Sequence, residues 1–392
     1  MLIEVHMLQN HAPGNLNRDD TGSPKEAIFG GYKRARISSQ CIKRSIRRSE
    51  LFREKLTGQL GIRTRSLPEL VRERLIEGGM AEDLAAVCAK KASGFGTEKG
   101  TEQKPNEGGY FRTAQTMFFS EADIEAVCEV MRKAAQDKDA KALDKVEAKE
   151  LQKEAEDSGF RQITVDIALF GRMVTSEAFV DVDASCQFAH AISTHKVDHE
   201  FDYYTAVDDL ERAADDQAGS GADMIGDVEF NSACYYKYFN IHVDGLVDNL
   251  TGKAFGRNPQ NADIEKARET ACAAVRALVE AACRVTPSGK QNSFAAFQLP
   301  SLVWIEIRNS NLPVSYANAF SIPVNPRSGR GIEVESAAAL ARECERLTTM
   351  YGLEARERFL IEKSGSVSML GIASGENLAS VLNALEAEVK RG

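Results

Sequence analysis

Residues 2–8 alternate, with Ile3, Val5 and Met7 on one side and Leu2, Glu4, His6 and Leu8 on the other, the period-two pattern of a strand. A long loop over 9–37 follows, then a helix over about 39–55. From 63 to 157 the pattern turns mostly helical: SLPELVRERLIEGGM and AEDLAAVCAK, a loop rich in Gly, Lys and Glu, and a run opened by Ser120 with Asp123 three residues later, a capping arrangement. The end of that run, 137–157, interleaves lysines with Asp and Glu and predicts a solvent-exposed helix supported by i,i+4 pairs. QITVDIALF (162–170) predicts a strand, and 186–195 a helix-like segment. FNSACYYKYFNIHV (230–243) and LVWIEI (302–307) predict strands by β-propensity. Residues 263–284 predict a helix with a buried stripe of Ala267, Ala271, Ala274, Val275, Leu278 and Ala282, and two further helices fall near 335–351 and 376–390.

Without the insertions the order is βαββαβ, a ferredoxin-like or RRM-like α+β sandwich whose open sheet and surrounding loops are a common platform for single-stranded RNA. The main domain then comprises 1–62, 158–196 and 228–392, with a helical insertion at 63–157. Residues 197–227 read as irregular and acidic, with aromatics at Phe201, Tyr203 and Tyr204 and a centre, AGSGADMIG, whose small residues predict flexibility. They predict a long loop or arm.

The 392 residues are 43% hydrophobic and 27% charged, the balance of a globular chain with a real core. The N-terminus lacks a basic segment followed by an apolar run, and no stretch approaches the roughly 18 apolar residues of a membrane span, so a cytoplasmic protein is expected. The eight cysteines form no CxxC pair and read as small buried apolar residues.

Charge changes the picture at one place. The chain carries a formal net charge of -9, yet in 15–48 Arg18, Lys25, Lys33, Arg34, Arg36, Lys43, Arg44, Arg47 and Arg48 face only Asp19, Asp20 and Glu26. A local reversal of sign points to a polyanionic partner. The Gly30–Gly31 turn lies inside this basic segment, which runs into Ser38 and Ser39, a good helix N-cap where anions are favoured. Gln40, Lys43, Arg44 and Arg47 share one face of the helix, while Ile42, Ile46 and Cys41 lie towards the other. The competing reading is a merely solvated basic helix.

HAPGNLNRDDTGSPKEAIFGGYKRARISSQCIKRSIR closely resembles the N-terminal signature of the CasC family, the backbone subunit of the type I-E CRISPR Cascade complex. VDIALFGRMVTS, FAHAISTHKVD, YTAVDDL, GKQNSFAAF and YANAF continue the likeness in order over about the first 320 residues. The resemblance implies an RRM-like palm, helical fingers (63–157) and a thumb loop (197–227). It further implies a non-catalytic subunit, stacked head to tail along the spacer of a CRISPR RNA, that presents bases for pairing with target DNA beside other Cascade subunits. It implies phosphate contacts by Arg18, Lys25, Ser38, Gln40, Lys43, Arg44 and Arg47, and places Lys290 in the RNA-binding set. Met173 and Tyr204 become candidates for wedging between bases; Met173 reads equally as ordinary core. The family's fingers can carry a lysine cluster that contacts duplex DNA, but 137–157 holds as many acids as bases.

Two other constellations bear on chemistry. Asp19–Asp20 could hold a metal for RNA cleavage or could shape the basic loop by hydrogen bonding. His190, His195 and His199 with Asp198 could ligate a metal, but their spacing does not share one helical face and no cysteine supports them. No cofactor is expected. A monomeric RRM-like RNA-binding module is the remaining alternative.

Overall fold

The computed structural model describes residues 1–157, 159–206, 224–325, 327, 329–362, 367 and 373–391. In chain order the N-terminal elements are β1 (Leu2–Gly14), β2 (Glu26–Phe29), β3 (Tyr32–Ile37), α1 (Ser39–Arg48), α2 (Glu50–Lys55) and β4 (Ile62–Thr64). Next come α3 (Leu67–Glu77), α4 (Glu82–Ala92), β5 (Met117–Phe119), α5 (Glu121–Ala135), α6 (Ala140–Leu143), α7 (Ala148–Asp157) and α8 (Val165–Phe170). Then follow β6 (Cys186–Phe188), β7 (Ala191–Ser193), β8 (Glu200–Ala206), β9 (Met224–His242), α9 (Val243–Thr251), α10 (Asn261–Arg284) and α11 (Gln291–Phe294). The chain closes with β10 (Leu302–Arg308), α12 (Ile332–Tyr351), β11 (Glu357–Glu362), β12 (Ala373–Ser374) and α13 (Leu378–Arg391). The chain divides into two compact units: Met1–Phe52, Phe188–Asn240 and Val275–Gly392 in the first, Arg53–Gln187 and Ile241–Ala274 in the second.

The first unit is built on a sheet ordered β12-β11-β10-β1-β9-β7-β3-β2, with β6 and β8 pairing β9 off this path. β1 is antiparallel to β10, from Leu2↔Arg308 to Leu8↔Leu302, and β7 is antiparallel to β9. The sheet is not open. Residues 2–9 are all buried, on both faces. On the even-numbered face Leu8, Tyr236, Tyr238 and Trp304 pack against Ala337, Leu340 and Cys344 of α12 and against Tyr316 and Phe320. The expected open platform is therefore covered, and a ligand must use loops and edges.

Glu4 and His6, which period-two alternation places on one side with Leu2 and Leu8, lie in that packed layer at 0% exposure. They survive burial through a polar network. Arg308 donates to Glu4 Oε2 at 2.6 Å and to Glu306 Oε2 at 2.5 Å, Arg358 reaches Glu306 Oε1 at 2.6 Å, and the Tyr238 hydroxyl donates to Glu4 at 2.7 Å. Burial raises the Glu4 carboxyl above its ordinary value. Burial works the same way on Glu306, but Arg308 and the hydrogen bonds from Arg358 and Tyr316 outweigh it and hold this carboxyl low. Burial lowers His6 to about 4, so its imidazole is neutral.

The second unit has its own core, with Leu67, Val71, Leu75, Cys88, Phe95, Phe119, Val127, Met131 and Phe179 at its centre. The Ser120 capping box forms as the sequence predicts. Asp123 also receives Arg172 at 2.6 Å and Arg161 at 3.0 Å. Although burial pushes the Asp123 carboxyl up, these cations and the Ser120 amide hold it below its ordinary value.

Several local expectations change. Residues 165–170 are helix rather than strand. Val165, Ile167, Ala168 and Leu169 are all buried, and a run buried on every side carries no period to separate helix from strand. Residues 186–195 are two short strands rather than a helix, fixed by long-range pairing of Ile192 with both Arg36 and Tyr236. β7 therefore takes the place in the sheet expected for 162–170. The 9–37 loop contains the end of β1 and a complete hairpin, and the 39–55 helix breaks at Ser49. The 137–157 helix is interrupted, beginning with Asp137 at φ 57°. Leu143, Ala148, Leu151 and Ala155 are buried, so it is not a solvent-stranded rod. The arm at 197–227 is partly a ribbon: β8 pairs with β9 from Glu200↔Phe230 to Ala206↔Met224, while 207–223 lie outside the described residues. All eight cysteines are free thiols, buried except for half-buried Cys41. Among the described residues no helix is long and apolar enough to cross a membrane.

Candidate nucleic-acid interface

The interface begins with a hairpin. β2 and β3 pair from Glu26↔Ala35 to Phe29↔Tyr32, leaving Gly30 and Gly31 as a two-residue turn at φ 61° and 82°. Both values lie in the left-handed region, which only glycine adopts without penalty and which matches the twist of a tight hairpin. Any side chain on Gly30 would also collide with the Ser321 carbonyl.

The hairpin sorts the cations. Arg34 is fully buried and donates to the carbonyls of Ser193 at 3.0 Å and Phe320 at 2.6 Å, so it is structural. Lys33 pairs with Glu26 at 3.1 Å, and Arg36 Nε donates to the Glu26 carbonyl. Arg18, Lys25, Lys43 and Arg44 differ: among the described residues no carboxylate lies within ion-pairing distance of any of them.

α1 follows as the pattern requires. Ser38 is its N-cap, extended at φ −67° and ψ 144°, with Oγ accepting from the Cys41 amide at 3.3 Å. The Ser38 amide donates to Asn17 Oδ1 at 2.8 Å, which ties the helix start to the preceding loop. Ile42 and Ile46 are buried, while Gln40 and Arg44 are exposed and Lys43 and Arg47 half-buried. The first turn carries no acid.

The 15–25 loop closes over this helix. Asn15 donates to the carbonyls of Gly22 and Glu229, and Lys25 N–H donates to the Asn17 carbonyl. Asp19 Oδ1 accepts from the Thr21 hydroxyl at 2.8 Å, the Thr21 amide at 2.9 Å and the Ser23 amide at 3.0 Å. The Thr21 hydroxyl and these amides keep its carboxyl below its ordinary value. At Asp19 the geometry is that of loop shaping.

A third strand of chain completes the site. Ser288 and Gly289 sit against the loop, and a Cβ on Gly289 would strike the carbonyls of Leu16 and Asn15. Lys290 follows in the left-handed region at φ 49°. The result is an open cleft lined by Arg18, Asp19 and Asp20 of the loop, Cys41, Arg44 and Ser45 of α1, and Ser288 and Gly289. Replacing Gly289 with alanine is expected to destabilise the chain by about 1–3 kcal/mol, because backbone must move to admit one methyl. An unchanged melting temperature would show that the two loops are not in contact.

Of the residues expected at a site, Arg18 and Arg44 line the cleft, and Lys290 adjoins it. Lys25 and Arg44 both act electrostatically on the Cys41 thiol, though burial is what chiefly raises it. Ser38 is buried and its Oγ is already engaged as a cap. Tyr204 stands apart on the β8–β9 ribbon, 40% exposed, with its ring over Gly226. Met173 belongs to the second unit and is 88% exposed, which excludes the core reading. It follows Arg172, which is pinned by Asp123 and by the Val180 carbonyl. The histidines are separately engaged: His195 Nε2 accepts from the Cys234 amide, and His199 lies between Glu26 at 2.6 Å and Glu229 at 3.4 Å. Sequence reasoning missed Asn17 and Ser288, and it weighed His190 only as a metal ligand.

The sequence matches the family model described as CT1975-like protein over residues 3–384. The chain belongs to the CT1975-like protein family. The fold of this CT1975-like chain is similar to that of a chain in a solved structure titled "CRISPR RNA-guided surveillance complex, pre-nicking", with TM-score 0.80 and 26% identity over 99% of this chain and 100% of that one. A chain from a second structure, titled "CRISPR RNA-guided surveillance complex", shares the fold at TM-score 0.71 and 23% identity, again over 99% and 100%. No curated protein matches.

Proposed function

We propose that this CT1975-like protein is a non-catalytic backbone subunit of a CRISPR RNA-guided surveillance complex, of the type I-E CasC kind. It grips the guide RNA along the cleft and repeats head to tail along the spacer, so that the guide bases can pair with invading target DNA. The observation that carries the reading is the convergence of the 15–25 loop, α1 and residues 288–290 on one cleft bordered by cations without carboxylate partners. Guide binding must tolerate any spacer, and phosphate contacts carry no sequence information. Arg18, Lys25, Lys43, Arg44, Arg47 and Lys290 supply charge, while Ser38 and Gln40 fix register. The central strand order β10-β1-β9-β7 supports an RRM-like palm in the first unit, and the mostly helical 63–157 segment suits the fingers. The β8–β9 ribbon is the base of a thumb, with Tyr204 offered to bases; exposed Met173 is a separate candidate wedge. Similarity to chains of RNA-guided surveillance complexes supports guide RNA and other subunits of such a complex as partners.

Electron microscopy of the purified protein with a guide-length RNA tests the assembly. A ribbed filament is expected, whereas isolated globules would leave a monomeric RNA-binding module. Incubation with labelled RNA and Mg²⁺ tests the catalytic part. Intact RNA is expected; cleavage abolished by Asp19→Ala or Asp20→Ala would replace the scaffold with an endoribonuclease.

A further inference from the structure

His190 is brought to the interface by the β6–β7 turn rather than by any charge pattern. Its Nδ1 lies 3.2 Å from the Ser39 amide nitrogen and 3.4 Å from Arg36 Nη1. Both are donors, so Nδ1 must accept, and in the neutral ring the proton then resides on Nε2. The side chain is exposed, and among the described residues Nε2–H has no acceptor. Partial burial lowers the ring's pKa first, then the charges of Arg36 and Lys25. An outward N–H thus sits among cations, beside an acid-free helix start whose Ser38 and Gln40 flank the amide that the same ring accepts.

We propose that His190 is a direct contact to the RNA backbone, its Nε2–H donating to a phosphate oxygen while its Nδ1 holds the Ser39 amide and so fixes the ring's aim. This rests on the guide-RNA reading of the cleft and adds to it a neutral, directional donor. A polyanion held only by lysine and arginine can slide, because ammonium and flexible guanidinium groups follow it. A ring fixed by a backbone amide cannot follow.

Two substitutions separate the ring's two nitrogens. In His190→Asn the amide oxygen can take the place of Nδ1, and nothing replaces Nε2–H. In His190→Gln the amide nitrogen can take the place of Nε2, and Ser39 is left without its acceptor. Affinity for a guide-length single-stranded RNA is measured across a salt series for both, beside wild type and the Lys43→Glu/Arg44→Glu variant. The expected result is a roughly three- to tenfold loss in His190→Asn and a smaller loss in His190→Gln. The salt slope should stay unchanged in both, because a neutral donor releases no counterion. Wild-type affinity in His190→Asn would overturn the contact. Equal losses in the two variants would also overturn it, since they would assign the effect to local structure. If instead Lys43→Glu/Arg44→Glu binds like wild type, the guide-RNA reading of the cleft fails and this inference with it.

Discussion

Replacing Lys43 and Arg44 together with glutamate is expected to weaken binding of single-stranded RNA of every sequence by roughly 10- to 100-fold at moderate ionic strength. Arg44 lines the cleft, Lys43 shares its helix face, and among the described residues neither has a carboxylate to be released from. Removing one cation from a phosphate should flatten the dependence of log affinity on log salt by about 0.7. Removing both therefore predicts a slope shallower by roughly 1.4, with no change in base preference. The helix itself should persist, because Ile42 and Ile46 carry its packing and both substitutions lie away from that stripe. An unchanged slope would show that these side chains do not touch the backbone of the nucleic acid.

The second large effect lies in the core. Arg308→Leu should cost about 3–5 kcal/mol of stability, because it leaves two buried carboxylates with only Arg358 to balance them. Glu4 and Glu306 are each 0% exposed, so solvent cannot take over the role of the guanidinium. Adding Glu4→Gln to Arg308→Leu removes the carboxylate that has lost its cation and should recover part of the loss. Chemical denaturation of the single and double variants checks both statements. A single variant within about 1 kcal/mol of wild type would mean that the network is relaxed by water or by protonation.

The contrast between these two places explains what the sequence made legible. α1 was readable because cap, face and charge all lie within one local segment, and local rules fixed Ser38, Ile42 and Ile46 correctly. The strong strands β9 and β10 and the helix α10 were readable for the same reason. Glu4 and His6 were not, since the residues that make their burial tolerable are Arg308, Tyr238 and Tyr316, some 230 or more positions away. The strands at 186–193 and the helix at 165–170 were misread because register with distant strands, or burial on every side, decides their state. At the interface the cations were visible as a cluster, but which of them face outward was not. Arg34 looks like its neighbours in sequence, yet it serves only to hold the hairpin to Ser193 and Phe320. Gly289 could not be connected to Leu16 by any local pattern, although that contact closes the cleft.

The pairing of Arg172, Arg308 and Arg358 with interior carboxylates has a consequence for kinetics. Those charges cancel at short range, so they add little to the field outside. A polyanion approaching the chain meets a net-negative molecule on which Arg18 and Arg44 line one cleft without carboxylate partners among the described residues. Its approach is oriented before contact, and encounter slows steeply as salt rises. If the cleft holds RNA as proposed, the salt dependence of association therefore belongs to its cations and not to the paired interior arginines.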